Sequence, residues 1–176
     1  MKRVLSLMIA SLLLAAGPAS AAVVDRVVAA VGEQLVTQSE LDLEEQLVQR
    51  DTPAHSFWSA RRAPALQRLI EAALIRELAG DVAVYLPPEV DITERVDRLR
   101  AEFESREAWN QFLLRHGLDE DTLRVTVRRR MIVERYVARS ISVSPTQTDA
   151  FDAAIEALVA GPRARYRIRV IEAESP

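Results

Sequence analysis

Chemistry needs particular side chains at particular spacings, and the reactive residues of this chain are not spaced for catalysis. His55 and His116 stand alone, with no His/Asp/Glu grouping at metal-ligand intervals around either. His116 beside Gly117 suits a helix C-terminus, where an imidazole meets the negative end of the dipole. Cysteine is absent, which excludes disulfides and thiolate metal sites. No G-x-S-x-G, glycine-rich phosphate loop or H-E-x-x-H occurs, and the many carboxylates fall on helix faces without an isolated acid/base pair. These absences set the expectation of a protein that is not an enzyme and carries no cofactor or metal.

Two groups of residues remain that could bind something. Arg124, Arg128, Arg135 and Arg139 fall within about 60° of one another at 100° per residue. They form a basic stripe that could meet an anionic surface or an acidic peptide, or else a solvated face paired with acids of neighbouring helices. Arg129 and Arg130 are expected on the apolar side of the same helix, where burial would oblige carboxylate partners. The second group is aromatic: Phe57, Trp58, Trp109 and Phe112 lie outside the strongest apolar periodicity. Exposed together they would present a surface to unfolded, aromatic-rich segments; otherwise they pack the core.

The elements that must position these residues follow an export signal. Lys2 and Arg3 precede an apolar run from Val4 to Ala16, Gly17-Pro18 break it, and Ala19-Ser20-Ala21 has the small-x-small pattern of a cleavage site. The run is shorter than the ~20 residues that cross a bilayer, so residues 1–21 are read as a cleaved signal and not a permanent membrane anchor. No Cys follows for a lipid anchor. The formal charge is −3, and removal of Lys2 and Arg3 takes it two units lower, which gives no support for nucleic-acid binding. Residues 22–176 suit one domain with a real core.

Val23 to Val31 has the composition of a strand, and Leu35-Val36 begins its return across Gly32-Glu33, which suits a type II′ turn. Thr37 with Glu40 forms a capping box for a helix reaching about Arg50. The segment from Asp51 to Pro64 is read as a connection. A helix with Pro64 at N1 carries Leu66, Leu69, Ile70, Ala73, Leu74 and Leu78 on a wide arc, the expected central helix. After LPPEV, Ile92, Val96, Leu99 and Phe103 mark a third helix, and Trp109, Phe112 and Leu113 a shorter fourth ending at His116-Gly117. Asp119 caps a fifth that reaches about Arg139. Ser144 with Pro145 at N1 opens a sixth, which should stop at Gly161-Pro162. Finally Tyr166, Ile168 and Val170 alternate with arginines as a half-buried strand whose only available partner is the N-terminal hairpin. The expectation is a predominantly helical α+β fold, a small sheet against about six helices.

The opening VVDRVVAAVGEQLVTQSELD resembles the mature start of SurA-like periplasmic chaperones and related parvulin-type foldases. In that family a strand of the form V-D-x-V-x-A-V-V, a tight turn and a V-I/V-x-x-S-E/D-L/V segment occur in this order. The later segments ALIRELA, DITERVDRLR, HGLDEDTLR and VRRRMIVERYVARSISVSPTQTDAF are also similar to its N-terminal helical domain, over about residues 23 to 160. The resemblance implies an ATP-independent periplasmic holdase for unfolded polypeptides, outer-membrane β-barrel precursors among them. The family then enters an isomerase domain whose first strand carries a His where Arg169 stands here. RYRIRVIEA looks like that strand, but with Arg169 for the His and no isomerase domain expected beyond it, isomerase activity is not part of the expectation. Two other readings stay open: an envelope adaptor holding one dedicated partner, and a foldase remnant without client activity.

Overall fold

The computed structural model describes residues 25–171. The signal segment, its cleavage site and the first residues of the expected strand lie outside the described residues. The fold is α+β and mainly helical: strands β1 (Val27–Val31), β2 (Gln34–Thr37) and β3 (Ile168–Val170) with seven described helices. These are α1 (Gln38–Arg50), α2 (Phe57–Ala60), α3 (Ala65–Ala79), α4 (Glu89–Ala101), α5 (Arg106–Arg115), α6 (Glu120–Ser140) and α7 (Thr148–Arg165).

The sheet is antiparallel in the order β2-β1-β3, so the chain's last described strand returns to its first. Val31 pairs with Gln34 across Gly32-Glu33. Gly32 takes φ 60° while Glu33 does not enter positive φ, as a type II′ turn requires. An irregularity between Val27 and Ala29 breaks the alternation, which lets Val28 and Ala29 both be buried. β3 sits at the sheet edge with Arg169 and Val170 exposed, so it covers less core than a half-buried strand would.

The capping box at Thr37 is formed in full, Thr37 accepting from the Glu40 N–H and Glu40 accepting from the Thr37 N–H. Asp119 caps α6 through the Thr122 N–H at 2.7 Å. Three local expectations need correction. The Asp51–Pro64 connection contains the one-turn α2, closed by a reciprocal Ser56/Ser59 capping box. Pro145 occupies a turn closed by Gln147 N–H to the Ser144 carbonyl at 2.9 Å, and α7 starts three residues later. Nor does α7 stop at Gly161-Pro162; it continues to Arg165 with Pro162 inside it. Part of a proline's penalty is its clash with the preceding residue's Cβ, which Gly161 lacks; the bond to the Leu158 carbonyl is still forgone. A smaller shift applies to Pro64, which is the N-cap of α3 rather than its first residue.

The core divides in two. The first cluster joins the sheet to α2, α3, α7 and the C-terminal half of α6, with Ala72, Leu74, Ile75, Val133 and Ile155 fully enclosed. The second joins α1, α4, α5 and the N-terminal half of α6 around Leu47, Ile92, Leu99, Trp109 and Leu123. α3 is the central helix, packing on α6, α7, α1 and β1. α6, about 31 Å long at 1.5 Å per residue, runs through both clusters.

Candidate functional site

Where the two clusters meet, β2, α1, α3 and α6 leave a groove of ≈ 390 Å³. Its floor is apolar: Val36, Leu43, Leu47, Trp58 and Ala73 are all buried yet line it. Leu35 stands on its rim with 58% of its surface exposed, held there because β2 alternates and Val36 takes the inward position. Leu69 and Thr126 complete its walls. The volume falls at the lower end of the roughly 300–1,000 Å³ that ligand pockets occupy.

Three arginines reach this groove in different states. Arg130 is buried and its charge is committed: it ion-pairs with Glu44, approaches Asp51 at 3.7 Å, and lies over the Trp58 ring at 4.1 Å. Glu44 is further held by Arg68 at 3.1 Å. Arg76 and Arg129 have no such partner, and among the described residues no carboxylate comes within ion-pair distance of either. Arg76 donates to the Gln34 side-chain carbonyl at 2.8 Å and nothing stronger. Burial, and then the charge of Arg129, push its pKa down to about 10, against a smaller opposing pull from Glu40. Glu40 is engaged at the β2–α1 junction by the Thr37 N–H. An apolar floor therefore carries two guanidinium groups without an ion-pair partner, with the Glu40 carboxylate as their nearest opposing charge on the lining.

Of the two fates open to the four candidate aromatics, an exposed client surface or core packing, the structure shows core packing. Phe57, Trp58, Trp109 and Phe112 are each at most 5% exposed. Phe57 and Trp58 make an edge-on pair in the first cluster, whereas in the second Trp109 stacks on Phe112 and meets Phe103 edge-on. Burial of large rings is the stronger driving force, and each pair finds its own core. Trp58 alone of the four reaches the groove, from below.

The basic stripe is likewise spoken for along most of its length. Arg124 and Arg128 both reach Glu89 at the start of α4, Arg124 at 3.1 Å with a further bond to Thr93. Arg135 pairs with Asp91 at 3.6 Å, and Arg139 donates to the Arg135 carbonyl. Instead of a free anion-binding face, the stripe is a seam between α6 and α4, where acids in the first turn of α4 also favour its dipole. Of the two arginines expected on the apolar side, Arg130 is buried with acidic partners as that position demands, but Arg129 is exposed at the groove.

Two buried polar networks were not foreseen. In one, Glu71 of α3 is fully buried and accepts from Arg61 at 2.8 and 2.9 Å, from Gln67 at 3.0 Å and from Arg163 of α7 at 2.6 Å. Arg61 also meets Asp152 at 2.8 Å. In the other, Arg95 of α4 joins Asp51 and Glu134 at 2.7 Å each. Hydrophobic periodicity carries no signal for such groups; the one hint was an acid or arginine at a core-facing position. Among the described residues no cluster of three or more His, Asp or Glu has metal-binding geometry, and no helix is long and apolar enough to cross a membrane.

Compared with known proteins, the chain matches no family model and no curated protein.

Proposed function

We propose that this protein is an ATP-independent holdase of the periplasm that binds unfolded exported polypeptides, including outer-membrane β-barrel precursors. The observation that carries the reading is the groove: a preformed apolar floor of Val36, Leu43, Leu47 and Trp58, open at an exposed Leu35. Apolar side chains of an unfolded client gain burial there, and no nucleotide site is needed to drive it. The resemblance of residues 23 to 160 to SurA-like chaperones supports the same reading. Affinity for any one client is low, because an unfolded chain loses conformational entropy on docking.

A second reading, an adaptor for one dedicated partner, is favoured by a different surface. Val82, Val84 and Leu86 stand exposed between α3 and α4, and Val90 in the first turn of α4. The segment is fixed by Tyr85 N–H to the Val82 carbonyl and by Tyr85 packed on Tyr136 at 4.9 Å. A fixed apolar row suits one complementary surface better than many clients.

Light scattering of urea-unfolded barrel precursors, diluted with and without excess protein and without ATP, separates the two. Suppression across several precursors, weakened by Leu35→Glu, is expected. Unchanged scattering, together with one stoichiometric partner in a periplasmic crosslinking pull-down, would overturn the holdase in favour of the adaptor.

A further inference from the structure

An apolar groove alone asks for apolar side chains, but this one has a charge requirement as well. Arg76 and Arg129 bring two positive charges to its mouth with no carboxylate to meet them among the described residues. Of the two carboxylates that also line it, Glu44 is paired with Arg68 and Arg130, while Glu40 bonds only the Thr37 N–H and attracts Arg76 from beyond ion-pair distance, so three arginines face two glutamates and the groove keeps a positive excess. Arg129 repels the charge of Arg76, which burial already desolvates, so an anion that reaches both from the groove they line relieves an unfavourable arrangement. A guanidinium pair matches a carboxylate best, because each planar fork can give parallel N–H bonds to its oxygens.

We propose that the groove receives the C-terminal end of a client polypeptide, its terminal carboxylate between Arg76 and Arg129 and its last apolar side chains on the floor formed by Leu43, Leu47 and Trp58. A terminal residue carries its carboxylate one bond from the Cα that bears the side chain, so charge and apolar surface arrive within a few ångströms of each other. A cavity of ≈ 390 Å³ suits the end of a chain better than a segment threading through. Capture of a terminal carboxylate is an established way for proteins to read peptides. The inference rests on the polypeptide-binding reading above and adds a polarity to it: clients enter tail first.

The test is fluorescence anisotropy of a labelled decapeptide ending in two apolar residues, prepared as the free acid and as the C-terminal amide, with the full mature protein. The free acid should bind about tenfold or more tightly than the amide, the difference expected for a charge-assisted pair. Arg129→Gln, an exposed position whose loss leaves the core untouched, should remove most of that preference, and Arg76→Gln should do the same in protein whose melting curve is unchanged. Equal binding of acid and amide overturns the terminal-carboxylate inference while leaving the holdase reading intact. Binding of neither peptide, with no suppression of aggregation, overturns both. Displacement of the acid peptide by octanoate at lower concentration than by unlabelled peptide would assign the groove to fatty acids and also overturn the proposal.

Discussion

Replacing Glu71 with Gln should cost this fold a large part of its stability, although the two side chains have nearly the same shape. Glu71 is 0% exposed and receives four hydrogen bonds, two from Arg61 and one each from Gln67 and Arg163. Glutamine keeps one acceptor oxygen and turns an NH₂ group toward a guanidinium. Arg61, itself buried, then relies on Asp152 alone for close compensation. Removing one member of a buried ion pair typically costs 3–5 kcal/mol, mostly from the charge left behind. Arg163 is one-third exposed, so water replaces much of what it loses, and we expect roughly 3–4 kcal/mol in total. Against the 5–15 kcal/mol by which domains are stable, that is a fall in Tm of roughly 6–16 °C at this size.

Urea unfolding followed by tryptophan fluorescence measures the loss directly, as a lower midpoint with an unchanged slope. The pH dependence supplies an independent arm. Burial pushes the Glu71 pKa up, but the bonds from Arg61 and Gln67 and the charges of Arg61 and Arg163 outweigh it, holding the carboxyl below its ordinary value. The stability Glu71 contributes is therefore complete above the unfolded carboxyl's pKa of about 4.3 and is lost as pH falls through the lower folded value. The gap between wild type and Glu71→Gln should accordingly narrow under acid. A loss below about 1 kcal/mol at pH 7, or a gap independent of pH, would refute the reasoning that this buried charge holds α2, α3 and α7 together.

Ending the chain after Arg167 removes β3 and should lower the melting temperature clearly, since β1 loses its second partner and Ile168 leaves the core; an unchanged melt would make the strand dispensable. Gly32→Ala should destabilise by about 1–3 kcal/mol in urea melts, because φ 60° strains an L-residue and a Cβ would sit 3.0 Å from the Tyr166 ring. Gly117→Ala, with φ 63° and no neighbour within 4 Å, should cost only the backbone strain, about 1 kcal/mol. Burial and then Arg115 hold the His116 pKa below its usual value, against Asp42. The folded state thus favours neutral imidazole, and stability should decline as pH drops through about 6.5, a slope that His116→Gln abolishes in pH-dependent melts. Intact-mass measurement of exported material should find a chain starting at Ala22, a full-length membrane-retained product being the contrary result.

What could be read from residues alone was the part encoded locally. Gly32 announces its turn because only a residue tolerant of positive φ sits there comfortably, and Thr37 with Glu40 announces α1 through a cap four residues long. Elimination of other partners sends the Tyr166–Ile171 segment to the hairpin, and the sheet order agrees for Ile168–Val170, whereas Tyr166 is the C-cap of α7 and not part of the strand. Signals failed where tertiary context decided. α2 is one turn, too short for any period, and its Phe57 and Trp58 looked unplaced because the core they enter belongs to α3 and α6. Pro162 reads as a stop, yet Gly161 before it relieves the clash with the preceding residue, and the helix runs on to Arg165 without the bond a Pro162 N–H would give Leu158. The arginines of α6 can be laid on a wheel, but Glu89 and Asp91 lie 35 to 44 residues before the arginines they meet, and nothing local says which ones they neutralise. For the same reason the groove's own pair, Arg76 and Arg129, is legible only once α3 and α6 are packed together.

The division of the core gives α6 a mechanical role. Leu123 and Val127 are anchored in one apolar mass and Val133 and Val137 in the other, while between them Arg130 sits among Glu44, Asp51 and the Trp58 ring. Oil resists separation at every point, but a charged seam can admit water and re-form its bonds, so it yields first. Amide hydrogen exchange should accordingly resolve two blocks of protection, the sheet with α3 and α7 in one and α4 with α5 in the other, each opening on its own schedule. The groove draws its walls from both blocks, Leu43 and Leu47 from one and Ala73 and Trp58 from the other. A lean of the two halves apart along α6 would widen it, and under the holdase proposed above that freedom would admit clients of unequal bulk.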